Sequence, residues 1–399
     1  MRKLSPGLTV NNSGGAGKGS VILMGEDAWN PAGSAGFPDE LSPVAGKEGL
    51  GAFCFFSPFD DRTFPGNGYI TRNVCDDAAL FFHVTMNTNQ SLNSRGSHIA
   101  WVDFLRILAC FLVVLAHCCD PFVGSFDGSF NFKSAVFWGS LVRPCVPLFA
   151  MISGVLLFPV TLEMGAFYSR RLKRVLVPLI VWSLALPLLY FGYFDAGVQT
   201  SSPNIVMDTY TWSATVGKLY TFFFNFNYDT TPLWYVYMLV GLYLFMPIMS
   251  AWLTQARRKD VKIFLGIWIF SMTLPYIQML APALGYEGNY GNMGILGVCD
   301  WNPYGMFYNF SGFLGYMVLA HYLTKYPLAW SWKKTLSITI PFFLIGFAVT
   351  FFGFLETQKH FPGQYSKLEV LWYFSGINVF LMTFAIFTIV SRLRIKAGP

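Results

Sequence analysis

Eight apolar stretches, each long enough to cross a hydrocarbon core, follow one another from residue 99 onward. They fall near 99–119, 136–158, 172–194, 232–253, 262–283, 304–323, 334–354 and 368–391. About 20 consecutive apolar residues cross a bilayer core of about 30 Å as a helix. Inside lipid only helices and closed barrels satisfy their own backbone groups, and long continuous apolar runs select helices. The expected fold is therefore all-α: a polytopic transmembrane helical bundle of about 8–10 spans. Composition agrees. The chain is 54% apolar and 12% charged, where a soluble domain carries about 25% charged residues. This excludes a soluble globular enzyme, a disordered chain and a fibrous protein as classes. The stretch 208–226 is aromatic but shorter and more polar, and reads as a re-entrant or interfacial helix.

Charge supplies an independent test. Arg170, Arg171, Lys173 and Arg174 share one connection. Arg257, Arg258, Lys259 and Lys262 come two spans later, then Lys325, Lys333 and Lys334, then Arg392, Arg394 and Lys396. These 14 cations alternate with connections holding only Lys133, Lys218, Lys359 and Lys367. The positive-inside rule then puts both termini in the cytoplasm. Residues 99–399 hold 20 Lys/Arg against 12 Asp/Glu, and residues 1–98 hold 7 against 9. The basic excess thus belongs to the apolar part, where it reports topology and not a nucleic-acid partner.

Residues 1–96 differ from the rest. They carry Gly/Ser/Pro clusters at 12–20 and 30–38 and no sustained period. They read as a polar, disordered extension or a start-site artefact with Met86 as the natural start; peptides from residues 1–85 of the native protein would overturn the second. The run Gly14–Ser20 lacks the glycine spacing, the preceding strand and the Ser/Thr after lysine that a phosphate loop needs. The membrane domain is residues 97–399. The seven cysteines contain no C-x-x-C pair, and the five histidines, at 83, 98, 117, 321 and 360, are too scattered for a local metal site. A disulfide among Cys118, Cys119 and Cys299 stays open.

Ionisable residues inside a span are costly, so each is a functional candidate. Asp103, Arg106, Cys110 and His117 in the first span are separated by three, four and seven residues and share one helix face. Arg106 and His117 are about 16 Å apart along it. Asp103 with Arg106 can equally be a helix-end ion pair, and His117 an interfacial histidine. In the second span, Arg143, Pro147, Ala150 and Gly154 follow one face, with small residues that allow close helix approach. Arg143 falls near the depth of His117 and suits stabilisation of a developing negative charge. Arg170, Arg171 and Arg174 obey positive-inside and can also hold phosphates bidentately. Trp234 and Tyr235 open the fourth span, and Trp301 lies in a polar aromatic loop at 284–303. These aromatics suit a sugar face as well as an interfacial belt.

The run Trp101–His117, the segment Arg143–Gly154, the segment Phe167–Arg174 and the segment Leu233–Pro247 together resemble the acyltransferase-3 family of integral-membrane acyltransferases. The resemblance covers about residues 97–395 and is most specific in the first two spans. The branch it is most similar to is that of stand-alone inner-membrane O-acetyltransferases of surface polysaccharides and glycolipids. The family's Arg/Lys, ten residues, His pattern falls on Arg106 and His117, and its Arg-x-x-Arg pattern on Arg171 and Arg174. The resemblance implies an acyl-CoA donor, usually acetyl-CoA, as co-substrate and no tightly bound cofactor. It implies a carbohydrate or glycolipid hydroxyl as acceptor and a multi-pass place in a bacterial inner membrane. Pro232 stands where many relatives have a histidine. The glutamate of the larger two-domain branch is also missing, and no hydrolase-like domain follows residue 399; both favour the stand-alone branch. Direct transfer and a covalent acyl-enzyme remain alternatives. An exporter or flippase of a polysaccharide or lipid-linked sugar would also bury charges and aromatics, although no inverted repeat supports it.

Overall fold

The computed structural model describes residues 99–124, 126–199, 205–223, 228–286, 294–299, 302–363, 365–393 and 395. The extension at 1–96, Met86 and Trp301 lie outside the described residues. Within them the fold is all-α, with no strand. Seven segments are long and apolar enough to cross a membrane, making a multi-pass membrane protein. They are Ala100–Val123, Phe130–Leu157, Met164–Asp195, Asp229–Gln255, Arg258–Leu280, Trp332–His360 and Lys367–Val390. Each coincides with one of the apolar stretches. The remaining stretch, 304–323, forms a 3-10 turn over Gly305–Phe310 and a 12-residue helix over Leu314–Lys325.

Several spans are broken by their own sequence. The first is one helix, α1 (Ala100–Val123). The second is α2 (Phe130–Leu141) and α3 (Cys145–Leu157), separated by a turn at Val142–Pro144. The third is α4 (Met164–Asp195). The short α5 (Trp212–Tyr220) accounts for the aromatic stretch at 208–226. The fourth span is a 3-10 turn, Tyr228–Leu233, leading into α6 (Trp234–Gln255). The fifth is α7 (Arg258–Ser271) and α8 (Leu274–Leu280), where Pro275 takes an early helical position. Then come α9 (Leu314–Lys325), α10 (Trp332–His360), α11 (Tyr365–Trp372) and α12 (Ile377–Val390).

The core centres on α3, where every residue from Cys145 to Gly154 is buried. A Cβ built on Gly154 would lie 2.3 Å from the Met317 carbonyl oxygen, so α3 and α9 touch backbone to backbone. The small-residue face expected around Gly154 is thus a packing seam. A second seam joins α10 to α12: Thr335, Thr339, Gly346, Thr350 and Thr357 are buried on one side of α10. Small residues let apolar helices approach closely where no hydrophobic drive separates protein from lipid. The outward faces are apolar too. On α1, Phe104, Ile107, Phe111 and Val114 are exposed, while Val102, Leu105, Ala109 and Ala116 are buried. Exposed apolar residues at helical spacing are what a lipid-facing surface requires.

Contacts gather the basic connections at one end. Arg258 Nε donates to Tyr322 Oη of α9 at 3.1 Å. Arg392, just after α12, donates to the carbonyls of Leu328 and Trp330. Trp101 at the start of α1 meets Phe387 edge-on at 5.6 Å. Among the described cysteines no disulfide forms.

Candidate active site

The far end of α1 carries His117 and Asp120, one helical turn apart. His117 Nδ1 lies 3.0 Å from Asp120 Oδ2. A carboxylate accepts only, so Nδ1 bears the proton when the imidazole is neutral and Nε2 is left as a base. The same carboxylate faces Arg143, with 3.7 Å between Nη2 and Oδ1. His117, Asp120 and Arg143 thus form one cluster. Arg143 does not continue the helix face of Pro147, Ala150 and Gly154. It stands in the turn before α3, and that break points its side chain across the bundle towards α1 and α11.

Arg143 is only 9% exposed and is held from several sides. Its Nε donates to the Gly139 carbonyl at 3.2 Å. Its Cζ lies 3.8 Å from the Trp372 ring centroid and 5.4 Å from that of Phe374. Trp372 is itself fixed, its Nε1 donating to Ser140 Oγ at 3.1 Å. The Phe374 carbonyl accepts from Tyr316 Oη at 2.9 Å. Asn378 Nδ2 donates to the Leu371 carbonyl at 2.7 Å and to Thr350 Oγ1 at 2.8 Å, while Tyr276 Oη donates to Asn378 Oδ1. The segment Leu371–Phe374 is therefore a rigid platform under the guanidinium. Preorganised cations of this kind stabilise charge that develops in a transition state, because they need no reorganisation then.

Trp234 joins this region. Its ring stacks on Phe374, with centroids 5.4 Å apart and planes 17° from parallel. Tyr235 turns inward instead, packing against Phe149 at 5.9 Å. Two turns further along α6, Tyr243 packs edge-on against Phe167 of α4, with ring centroids 6.2 Å apart.

Arg170, Arg171 and Arg174 sit inside α4, not in a connection before it. At 32 residues this helix is about 48 Å long, longer than the hydrocarbon core, so its first turns reach the interface. Arg170 is exposed, and Arg171 and Arg174 are half-buried. Asp103 and Arg106 form an intrahelical pair, Arg106 Nη1 donating to Asp103 Oδ1 at 2.7 Å. Along the axis Arg106 stays about 16 Å and Asp103 about 21 Å from His117. Arg106 Nε is buried without a hydrogen-bond partner.

Sequence reading missed Asp120, Ser140 and Trp372. Asp120 was signalled by its i+3 spacing from His117. Nothing local marks the pairing of Ser140 with Trp372, which are 232 residues apart. Among the described residues no group of three or more His, Cys, Asp and Glu side chains is placed to hold a metal ion.

No curated protein and no solved structure matches the chain. A family model does, the acyltransferase domain, over residues 99–397. That match includes every span and the whole His117–Asp120–Arg143 cluster, so this membrane protein is an acyltransferase and the chain belongs to the acyltransferase-3 family.

Proposed function

We propose that the protein transfers an acyl group, in first place acetyl from acetyl-CoA, to a hydroxyl of an envelope polysaccharide or glycolipid in a bacterial inner membrane. The observation that carries this reading is the pairing of His117 with Asp120 beside the buried Arg143. A sugar hydroxyl is a poor nucleophile near neutral pH. His117 Nε2 takes its proton as the oxygen attacks the thioester carbonyl. Asp120 keeps the proton on Nδ1 and stabilises the imidazolium that results. Arg143 balances the charge on the carbonyl oxygen in the tetrahedral intermediate. Collapse of that intermediate forms the ester C–O bond and breaks the C–S bond. The thiolate leaves with the proton that the imidazolium returns.

Arg171 and Arg174, with Arg170 beside them, bind the phosphates of CoA. CoA is made in the cytoplasm, and the positive-inside reading puts these arginines on that side. In this reading the pantetheine arm runs from these arginines through the bundle to His117. Arg106, paired with Asp103, orients the donor within the bundle. Trp234 offers the acceptor sugar an aromatic face, with Tyr235 and Trp301 as further candidates. The stand-alone O-acetyltransferase branch fits this arrangement. Family membership favours transfer over export.

The test uses membranes holding wild type or His117→Ala at equal expression, given radiolabelled acetyl-CoA and host glycans. Label in glycan with wild type and none with the variant supports the reading. Equal label from both removes His117 from the chemistry. No label from wild type, with other acyl-CoAs also supplied, overturns the CoA donor.

A further inference from the structure

A cleft of about 240 Å³ opens at the basic end of the bundle, far from the cluster at His117. Trp101, Leu328 and Phe387 form its apolar wall, and Thr388, Ser391 and Arg392 its polar one. The polar three stand at i, i+3 and i+4 and so share one face where α12 ends. Trp101 and His117 are 16 residues apart on α1, about 24 Å along the axis, so the cleft is not part of the reacting centre.

Two donors in this wall are shut off from solvent and bond to nothing: Thr388 Oγ1 and Arg392 Nε. Thr388 is 3% exposed. It is an exception in this bundle. Thr335, Thr339, Thr350 and Thr383 are equally buried, and each donates its hydroxyl to the carbonyl four residues earlier. A buried hydroxyl without a partner is costly, and the cost is removed when a ligand accepts from it. Arg392 is fixed by its two terminal nitrogens, which donate to the carbonyls of Leu328 and Trp330. Among the described residues no carboxylate forms an ion pair with it. Lys334 Nζ lies 5.8 Å from the ring centroid of Trp330, the residue whose carbonyl Arg392 holds.

We propose that this cleft binds the phosphodiester of a membrane phospholipid. A fixed, uncompensated guanidinium asks for an anion. A phosphodiester has two unesterified oxygens, one for Arg392 Nε and one for Thr388 Oγ1. The spans Ala100–Val123 and Lys367–Val390 end at this cleft, which puts it at headgroup depth. Trp101 suits that depth, and Leu328 and Phe387 suit the glycerol ester and first methylenes beside the phosphate.

The test measures the thermal midpoint of the purified full chain in detergent, titrated with phosphatidylglycerol, with a diacylglycerol of the same chains, with CoA and with inorganic phosphate. Phosphatidylglycerol is expected to raise the midpoint of wild type, and diacylglycerol to leave it unchanged. Thr388→Val replaces an unpartnered hydroxyl with a methyl of similar size. It should fold at least as stably as wild type without lipid, yet bind phosphatidylglycerol about tenfold more weakly. Arg392→Gln should weaken binding further, and Thr388→Val keeps the test decisive if that variant unfolds. Equal titrations for wild type and Thr388→Val overturn the proposal, as does a diacylglycerol effect matching that of phosphatidylglycerol. A Thr388-dependent response to CoA or inorganic phosphate with none to the lipid overturns the lipid assignment. None of these readouts depends on acyl transfer.

Discussion

The indole of Trp372 lies beneath the guanidinium of Arg143, 3.8 Å from ring centroid to Cζ. The ring is anchored to Ser140, one turn before the arginine, so both partners of the contact are set by the turn between α2 and α3. A cation over a desolvated aromatic ring contributes about 0.5–2 kcal/mol. Trp372→Phe keeps a ring and loses the anchor. Acyl transfer by this variant should fall roughly threefold to tenfold at matched amounts of folded protein. Transfer equal to wild type would show that Arg143 does not depend on its platform.

Asp120→Asn should be far more severe. Asparagine fits the same space but can donate to Nδ1, which moves the proton to Nε2 and removes the base. Transfer should drop by about a hundredfold or more, with the thermal midpoint little changed. Asp120→Glu should recover part of the loss. A folded Asp120→Asn protein with wild-type transfer rates would remove the carboxylate from the mechanism.

The spans were legible because hydropathy decides them: seven of the eight apolar stretches beyond residue 99 became spans, and 304–323 became a 3-10 turn and a 12-residue helix. His117 and Arg143 were legible because charged groups are rare within spans. Asp120 escaped notice because it stands at a span end, where acids are ordinary. The break at Val142–Pro144 escaped because hydropathy runs straight through it, although Pro144 and Pro147 mark it chemically. The platform under Arg143 was beyond any local pattern, since α11 and the turn before α3 meet only in the folded bundle.

The donor reading predicts a split in kinetic constants. Arg174→Gln should raise the KM for acetyl-CoA about tenfold and leave kcat within about twofold, since a phosphate contact remote from the thioester binds ground and transition states alike. Arg171→Gln should act in the same direction. Kinetics on solubilised protein with acceptor held constant would measure it. A fall in kcat at unchanged KM would move these arginines out of donor binding.

Lys218 and Asp229 clasp α5 to the start of α6. Lys218 Nζ lies 2.7 Å and 3.0 Å from the two carboxylate oxygens, and Tyr210 Oη donates to Oδ1 at 3.2 Å. Asp229 is 2% exposed. Lys218→Met strands that carboxylate, and removing one partner of a buried pair costs about 3–5 kcal/mol. The thermal midpoint in detergent should drop. Asp229→Asn, which leaves no unpaired anion, should cost less. Equal midpoints for Lys218→Met and wild type would make the clasp ornamental.

Gly154 tests whether the packing seam supports the site. An added methyl would stand 2.3 Å from the Met317 carbonyl oxygen and 2.6 Å from its Cα, both backbone atoms of α9 that cannot swing aside. Gly154→Ala must therefore push α3 and α9 apart, at a cost of roughly 1–3 kcal/mol. The displaced α3 begins beside Arg143, and α9 carries Tyr316, which holds the Phe374 carbonyl. Transfer should then fall along with the thermal midpoint. Gly165, at the start of α4, meets nothing within 4 Å of a built Cβ. Gly165→Ala should leave both quantities unchanged, so a matching loss in both variants would mean that helix separation is not what Gly154 controls.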